Sequence, residues 1–91
     1  MFLKDPAARL DYGIDWSEQL PTGVAIVASS WAVDPDEPGG VRVVAHRREG
    51  ATCVAWLEGG TAGRAYRVVN RVELSDGAVD ERSLVVRVEQ R

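Results

Sequence analysis

The sequence has little of what most catalytic and metal sites are built from. Among its 91 residues there is one cysteine, Cys53, and one histidine, His46. A single cysteine excludes an intramolecular disulfide, so the fold does not depend on an oxidising compartment. One histidine and one cysteine on different predicted strands cannot supply the four ligands of a structural zinc site. We therefore expect His46 to lie exposed or on an edge strand, and Cys53 to be a small buried hydrophobe.

Long apolar runs and an excess of positive charge are also missing. No stretch approaches the roughly 20 apolar residues of a membrane span. The opening residues, MFLKDP, lack the apolar core of a signal peptide. The formal net charge is -3, whereas a nucleic-acid binder needs a clustered positive face. The sequence thus predicts a protein made in the cytosol, with no nucleic acid and no membrane among its partners.

Recognisable catalytic and cofactor motifs do not occur. The serine pair at 29–30 and Ser83 have no histidine and acid in a plausible triad order. The run Gly59–Gly63 lacks the lysine, the following helix and the spacing of a phosphate loop. The acidic residues within 5–15 and within 34–37 do not have the spacing of a calcium loop. We therefore expect no enzyme activity, no cofactor, and no catalytic, cofactor-binding or metal-binding residues.

What the sequence does have is alternation of apolar and polar residues with period two, which predicts half-buried β-strands. The predicted strands are Arg9–Trp16, Val24–Val33, Val41–Arg47, Ala51–Leu57, and two runs between Tyr66 and Val88 around the turn at Asp76-Gly77. Short strands with frequent turn signals predict an all-β fold, a single immunoglobulin-like β-sandwich of about seven antiparallel strands. A small lipocalin-like or OB-like barrel is the alternative. We assign residues 1–9 to an N-terminal lead-in, compatible with flexibility, and residues 10–91 to the sandwich domain.

A glycine-rich corner before the next-to-last strand supports the sandwich. Tyr66 follows GGTAGRA, and in immunoglobulin-type sandwiches a tyrosine at that corner bonds its hydroxyl to upstream backbone. Val68 then falls where antibody domains have their second cysteine, and we expect Trp31 or Val33 to face it from the second predicted strand. The expected core comprises Tyr66, Val68, Val72, Leu74, Leu84, Val86, Trp31 and Trp56.

Three segments resemble a group of small phage and prophage proteins encoded among head and tail morphogenesis genes. They are LDYGIDW at 10–16, SSWAV at 29–33, and GGTAGRAYRVVNRV with DERSLVVRV between 59 and 88. Proteins of this group are described as fiber-tail adaptors or head–tail connector-region proteins. The resemblance implies an immunoglobulin-like fold and a non-enzymatic virion role, as an adaptor or decoration module acting through protein–protein contacts. The implied partners are other head or tail proteins, a homo-oligomer in the particle being compatible with this. The implied location is the bacterial cytoplasm and then the virion, if the prophage is active.

Two further expectations concern surfaces. The alternative function is a ligand-binding module for surface glycans, which would use one exposed tryptophan and the loops. The strand from Val41 to Arg48 carries three arginines, which either protect an edge strand or make it a docking edge. The proline-rich loop at 34–40 and the lead-in at 1–9 are expected to become ordered on assembly.

Overall fold

The computed structural model describes residues 1–90, which form seven strands and one short 3-10 helix. The strands are β1 (Phe2–Lys4), β2 (Leu10–Asp15), β3 (Ile26–Asp34), β4 (Arg42–Glu49), β5 (Thr52–Glu58), β6 (Ala65–Leu74) and β7 (Val79–Val88), and the helix is Ser17–Gln19. They make a four-stranded sheet in the order β1-β7-β6-β3 and a three-stranded sheet in the order β2-β5-β4. The predicted all-β sandwich of seven strands is confirmed.

Strand β1 is the part of the fold that the sequence did not predict. Phe2–Lys4 pair in parallel with Val86–Val88 of β7, whereas the other neighbouring strands in residues 1–90 are antiparallel. The prediction that all the strands are antiparallel is therefore wrong at this one pair. Three residues are too few to show a period-two pattern, which is why the lead-in carried no strand signal.

Because β1 was not predicted, each later strand moves one place along in the comparison with an immunoglobulin domain. With β1 counted as the first, β2, β5 and β4 correspond to strands B, E and D of an immunoglobulin domain, and β3, β6 and β7 correspond to C, F and G. Trp31 thus lies on the strand that carries the buried tryptophan of antibody domains. Val33 lies directly beside Val68 in the same sheet. The expectation that Trp31 or Val33 faces Val68 across the sandwich is wrong, because the strand assigned as second is the third.

The interior contains two apolar clusters, one toward each end of the sandwich. The corner cluster consists of Val41, Ala55, Leu57, Tyr66, Val68, Val86 and Val88. The far cluster consists of Ile14, Trp16, Ile26, Cys53, Val72 and Leu74. Of the eight residues expected in the core, Tyr66, Val68, Val72, Leu74 and Val86 are buried. Leu84 and Trp31 are half-buried and pack against both clusters.

Trp56 is the expected core residue that lies outside the core. The face of β5 that points inward carries Cys53, Ala55 and Leu57, all with 0% exposure. Trp56 alternates with them, so it lies half-buried on the outer face, where the Arg9 guanidinium covers its ring at 5.5 Å from the centroid. The prediction failed because both faces of this central strand are largely apolar, which leaves the alternation without a unique phase.

Polar contacts hold the glycine-rich corner together. The Thr61 backbone N–H donates to the Tyr66 hydroxyl at 3.0 Å, as expected of a tyrosine at this corner. The Tyr66 hydroxyl in turn donates to Glu37 Oε1 at 2.8 Å, and Arg64 makes an ion pair with Glu37 at 3.4 Å. The proline-rich loop is therefore joined to the corner through Glu37.

Lys4 makes the second connection at this corner. Its side chain is fully buried, and its ammonium donates to the carbonyl oxygens of Gly59 at 2.8 Å and Asp5 at 3.0 Å. Burial lowers the pKa of Lys4 because the charged form loses hydration, although the neighbouring acids Asp5 and Glu58 oppose this. Gly59 has a φ of 79°, and a Cβ there would lie 2.6 Å from the Gly40 carbonyl oxygen, so the corner requires glycine at this position.

Candidate docking site

Two edge strands lie side by side along one long side of the sandwich. Strand β3 ends the four-stranded sheet and β4 ends the three-stranded sheet. The two strands run in opposite directions, so Trp31 and Val33 near the end of β3 face Val41 and Val43 near the start of β4 across a groove of about 370 Å³. At the other end, Ile26 and Arg48 line a second groove of about 490 Å³. We call this side, from the first groove to the second, the edge cleft.

The β4 wall of the edge cleft is basic. Directly opposed residues in neighbouring strands share one face of a sheet, and Val43, His46 and Arg48 oppose the core-facing residues of β5. The imidazole and the guanidinium are nevertheless exposed, because the four-stranded sheet ends at β3 and leaves that side of β4 open. Within residues 1–90, neither His46 nor Arg48 has an acidic partner. In contrast, Arg42 pairs with Glu58 at 3.2 Å and Arg47 with Glu49 at 2.6 Å.

The β3 wall is uncharged until its last residue. Its sequence is IVASSWAVD over nine residues, and Asp34 is the only ionisable group among them. Ser29, Trp31 and Val33 oppose inward-facing residues of β6, so their side chains face the cleft or the interior. The alternate residues Ala28, Ser30 and Ala32 lie on the outer face and are small. The strand itself therefore contributes no charged side chain before Asp34 and only small side chains on its outer face between Ala28 and Ala32.

Trp31 has an unsatisfied polar atom. Its indole nitrogen is buried and finds no hydrogen-bond partner in residues 1–90, and it is the one buried side-chain nitrogen or oxygen in that range of which this is true. A buried N–H without an acceptor is unfavourable, so such groups are uncommon in folded proteins. The tryptophan also lines the first groove, together with Val43.

The interior next to Trp31 is, by contrast, fully bonded. Trp16 is 1% exposed, and its indole N–H donates to Asn70 Oδ1 at 2.8 Å. The Asn70 amide donates to Ser29 Oγ at 2.9 Å and to the Ser30 carbonyl at 3.0 Å. Asn70 is itself buried with 0% exposure, so these bonds satisfy an amide that would otherwise be costly to bury. The network links the end of β2, β6 and β3, and it fixes the inner side of the edge strand β3.

The family model described as "Podophage GP4 fiber-tail adaptor protein gp77" matches residues 4–87. The chain belongs to this family. It is therefore a phage structural adaptor, and the resemblance found in the sequence is confirmed. A search of curated proteins found no match.

The match includes both walls of the edge cleft. Strands β3 and β4 lie wholly inside the matched range of this fiber-tail adaptor, whereas Phe2 and Leu3 of β1 precede it. A tail-fibre adaptor has other phage tail proteins as its partners, so its surfaces for protein contact are the features to explain. In the described range, 1–90, no helix is long and apolar enough to cross a membrane.

The single histidine and the single cysteine lie on neighbouring strands, where His46 opposes Ala55 and Cys53 opposes Arg48. His46 is exposed on the edge strand β4, and Cys53 is fully buried on β5. Residues 1–90 contain no group of three histidines, cysteines or acids placed to hold a metal ion. Lys4 and Asn70 are important buried polar residues that the sequence reasoning missed. Asn70 did give a signal, because it is a polar residue on an otherwise apolar alternating face; Lys4 gave none.

Proposed function

We propose that this fiber-tail adaptor is a non-enzymatic structural protein of the virion that holds other tail proteins through protein–protein contacts. The observation that carries the proposal is the family match over residues 4–87. The family description favours the junction between tail and fibre over a head–tail position. The shape supports the same role, because the principal extents of 44 × 20 × 19 Å make an elongated body with two separate ends.

A decisive experiment is deletion of the gene from the phage that encodes it. We expect the mutant particles to lack fibres in negative-stain images, and to lack this protein and the fibre protein by mass spectrometry. Supplying the wild-type gene in trans should restore both proteins to the particle. Fibre-bearing, infectious particles made without the protein would overturn the proposal.

Mixing purified proteins tests which protein is the partner. We expect the adaptor to form a stable complex with at least one tail or fibre protein of the same phage, measured by light scattering after size exclusion. The same measurement on the adaptor alone tests whether it forms a homo-oligomer, which the proposal allows.

Trp56 does not support the alternative glycan-binding role, because such a role would use an aromatic ring open on a flat face or groove, and the ring of Trp56 lies under the Arg9 guanidinium. Trp31, which lines the first groove, is the tryptophan that such a role would use.

A further inference from the structure

We propose that the edge cleft receives an extended segment of a partner tail protein, which adds to β3 as a fifth strand of the four-stranded sheet. Its inward side chains would be apolar toward Trp31 and acidic toward Arg48. This inference rests on the proposed adaptor function and names the surface and the chemistry of one partner.

The first argument is that β3 is the edge without protection. Natural proteins guard edge strands with charges, prolines, bulges or short length. Strand β4 has three arginines and a register shift between Val43 and Ala45, and β1 has only three residues. Strand β3 has nine residues with no charge before Asp34, and its register shift falls at the start, between Ile26 and Ala28. From Ala28 onward the edge is regular and free to pair with an extended chain.

The second argument is charge. A strand added beside β3 would extend the four-stranded sheet across the inward face of β4. It would therefore cover His46 and Arg48, whose side chains share that face. Neither has an acidic partner within residues 1–90. A guanidinium covered without a counter-charge is unfavourable, so an occupant must bring a carboxylate to this position.

The third argument is the indole N–H of Trp31, which is buried and unpaired in residues 1–90. The ring lines the groove with Val33 and Val43, so an occupant there meets an apolar surface. Once the ring turns its enclosed N–H toward the groove, a carbonyl or side-chain oxygen of the incoming segment would accept from it. Strand addition thus supplies the acceptor that the isolated chain lacks.

The length of the segment follows from β3. Nine residues at about 3.3 Å each make an edge of roughly 30 Å. An extended segment of about six to nine residues would therefore span the cleft from Val33 to the neighbourhood of Arg48. Side chains alternate between the two faces of a strand. The apolar and acidic side chains of the occupant should therefore have an odd number of residues between them, so that both point inward.

Edge protection is the competing explanation for Arg48, since inward-pointing charges also prevent unwanted pairing. The substitution Arg48→Glu separates the two explanations. It keeps an inward charge and therefore keeps the protection, but it reverses the charge that an acidic segment would meet. Arg47→Glu is the control one residue away, on the opposite face of β4; because it also removes the exposed ion pair with Glu49, the stability of both variants is measured alongside binding.

The test measures the affinity of these variants for the tail or fibre protein that binds the wild-type adaptor. We expect Arg48→Glu to weaken binding about tenfold or more, and Arg47→Glu to change it by less than about twofold. Trp31→Phe should weaken binding while its control, Trp56→Phe, does not. Hydrogen exchange in the complex should show new protection of amides in 28–34.

The outcomes separate the two levels of the proposal. If no tail or fibre protein binds the adaptor, the proposed function fails. If one binds, but Arg48→Glu binds equally well and β3 gains no protection, the adaptor role stands and the strand-addition inference is overturned. Restoration of Arg48→Glu binding by an acid-to-lysine change in the partner segment would identify the contact directly.

Discussion

Trp16 and Trp31 both contact the far apolar cluster, yet their indole N–H groups have different surroundings. Trp16 lies where both sheets cover it, and its N–H is bonded to Asn70 at 2.8 Å. Trp31 lies on the edge strand β3, and its N–H has no acceptor in residues 1–90. The difference shows that buried polar groups are paired where both sheets enclose them, and that one is left unpaired at the edge strand β3. In a protein whose family is built to join others, that edge is where a partner has most to add.

The largest expected effect comes from removing the ring in the complete region. Trp16→Ala should destabilise the fold by about 3 to 5 kcal/mol, because it leaves a cavity and deprives Asn70 of its donor. Trp31→Ala should cost clearly less, since that ring is already half-exposed to the cleft. Chemical denaturation of the two variants gives the comparison. Equal losses would show that Trp31 is as much a part of the core as Trp16.

The next effect tests the polar network itself. Asn70→Ala should cost about 1 to 3 kcal/mol beyond the loss of packing, because it leaves the N–H of Trp16 buried without an acceptor. Combining it with Trp16→Phe should cost less than the sum of the two single changes, since the pair then leaves no unpaired donor. A double variant that is strictly additive would contradict a direct bond between these residues.

A smaller change in the free energy of unfolding is expected from replacing the tryptophan of the edge cleft. Trp31→Phe removes a buried N–H that has no partner and keeps an aromatic ring. We expect the free energy of unfolding to change by less than about 1 kcal/mol, whereas Trp16→Phe should lose more. A large loss from Trp31→Phe would mean that its N–H has an acceptor in solution, and the cleft would then lack the free donor inferred above.

The smallest effect concerns the charge next to Trp16. The backbone N–H of Ser17 donates to the Asp15 carboxylate at 2.9 Å, and this bond lowers the pKa of Asp15 from 3.8. A lowered folded-state pKa gives stability above pH 3.8 that is lost as the pH falls through the folded value. Wild type should therefore be slightly more stable than Asp15→Asn near neutral pH, and the difference in Tm should vanish in strong acid. A difference that persists there would mean that the amide also loses packing.

Much of the fold follows from local pattern. Strand β6 alternates cleanly between exposed and buried residues, β7 does so from Leu84 to Val88, and the glycine-rich corner indicated the hydroxyl bond of Tyr66, so the sandwich could be predicted. Trp56 could not be placed, because Thr52, Val54 and Trp56 are nearly as apolar as Cys53, Ala55 and Leu57 and either face could have been inward. The bonds of Lys4 to Gly59 and of Tyr66 to Glu37 join residues distant in the sequence, and no local pattern encodes them.

The docking surface was only partly predictable for the same reason. The arginines between Val41 and Arg48 indicated an edge strand, and the structure places β4 at the end of its sheet. The position of β3 as the edge strand next to β4 is set by the order of the strands in the two sheets, which no local pattern shows. An uncharged segment such as IVASSWAV is typical of a central strand as well as of an exposed edge.

The parallel pair of β1 and β7 has a consequence for when the protein folds. Phe2–Lys4 are synthesised before the other strands of their sheet, whereas their sheet partners, Val86–Val88, are synthesised after those strands. Until those residues are synthesised, β1 has no strand to pair with, and the site at the glycine-rich corner that buries the Lys4 ammonium is not yet formed. The four-stranded sheet must therefore close after synthesis of residue 88, by a long-range pairing that is intrinsically slow. In the meantime the edge of β6 that β7 later covers is exposed to other nascent chains, so aggregation during assembly should be most severe in truncations that end before β7.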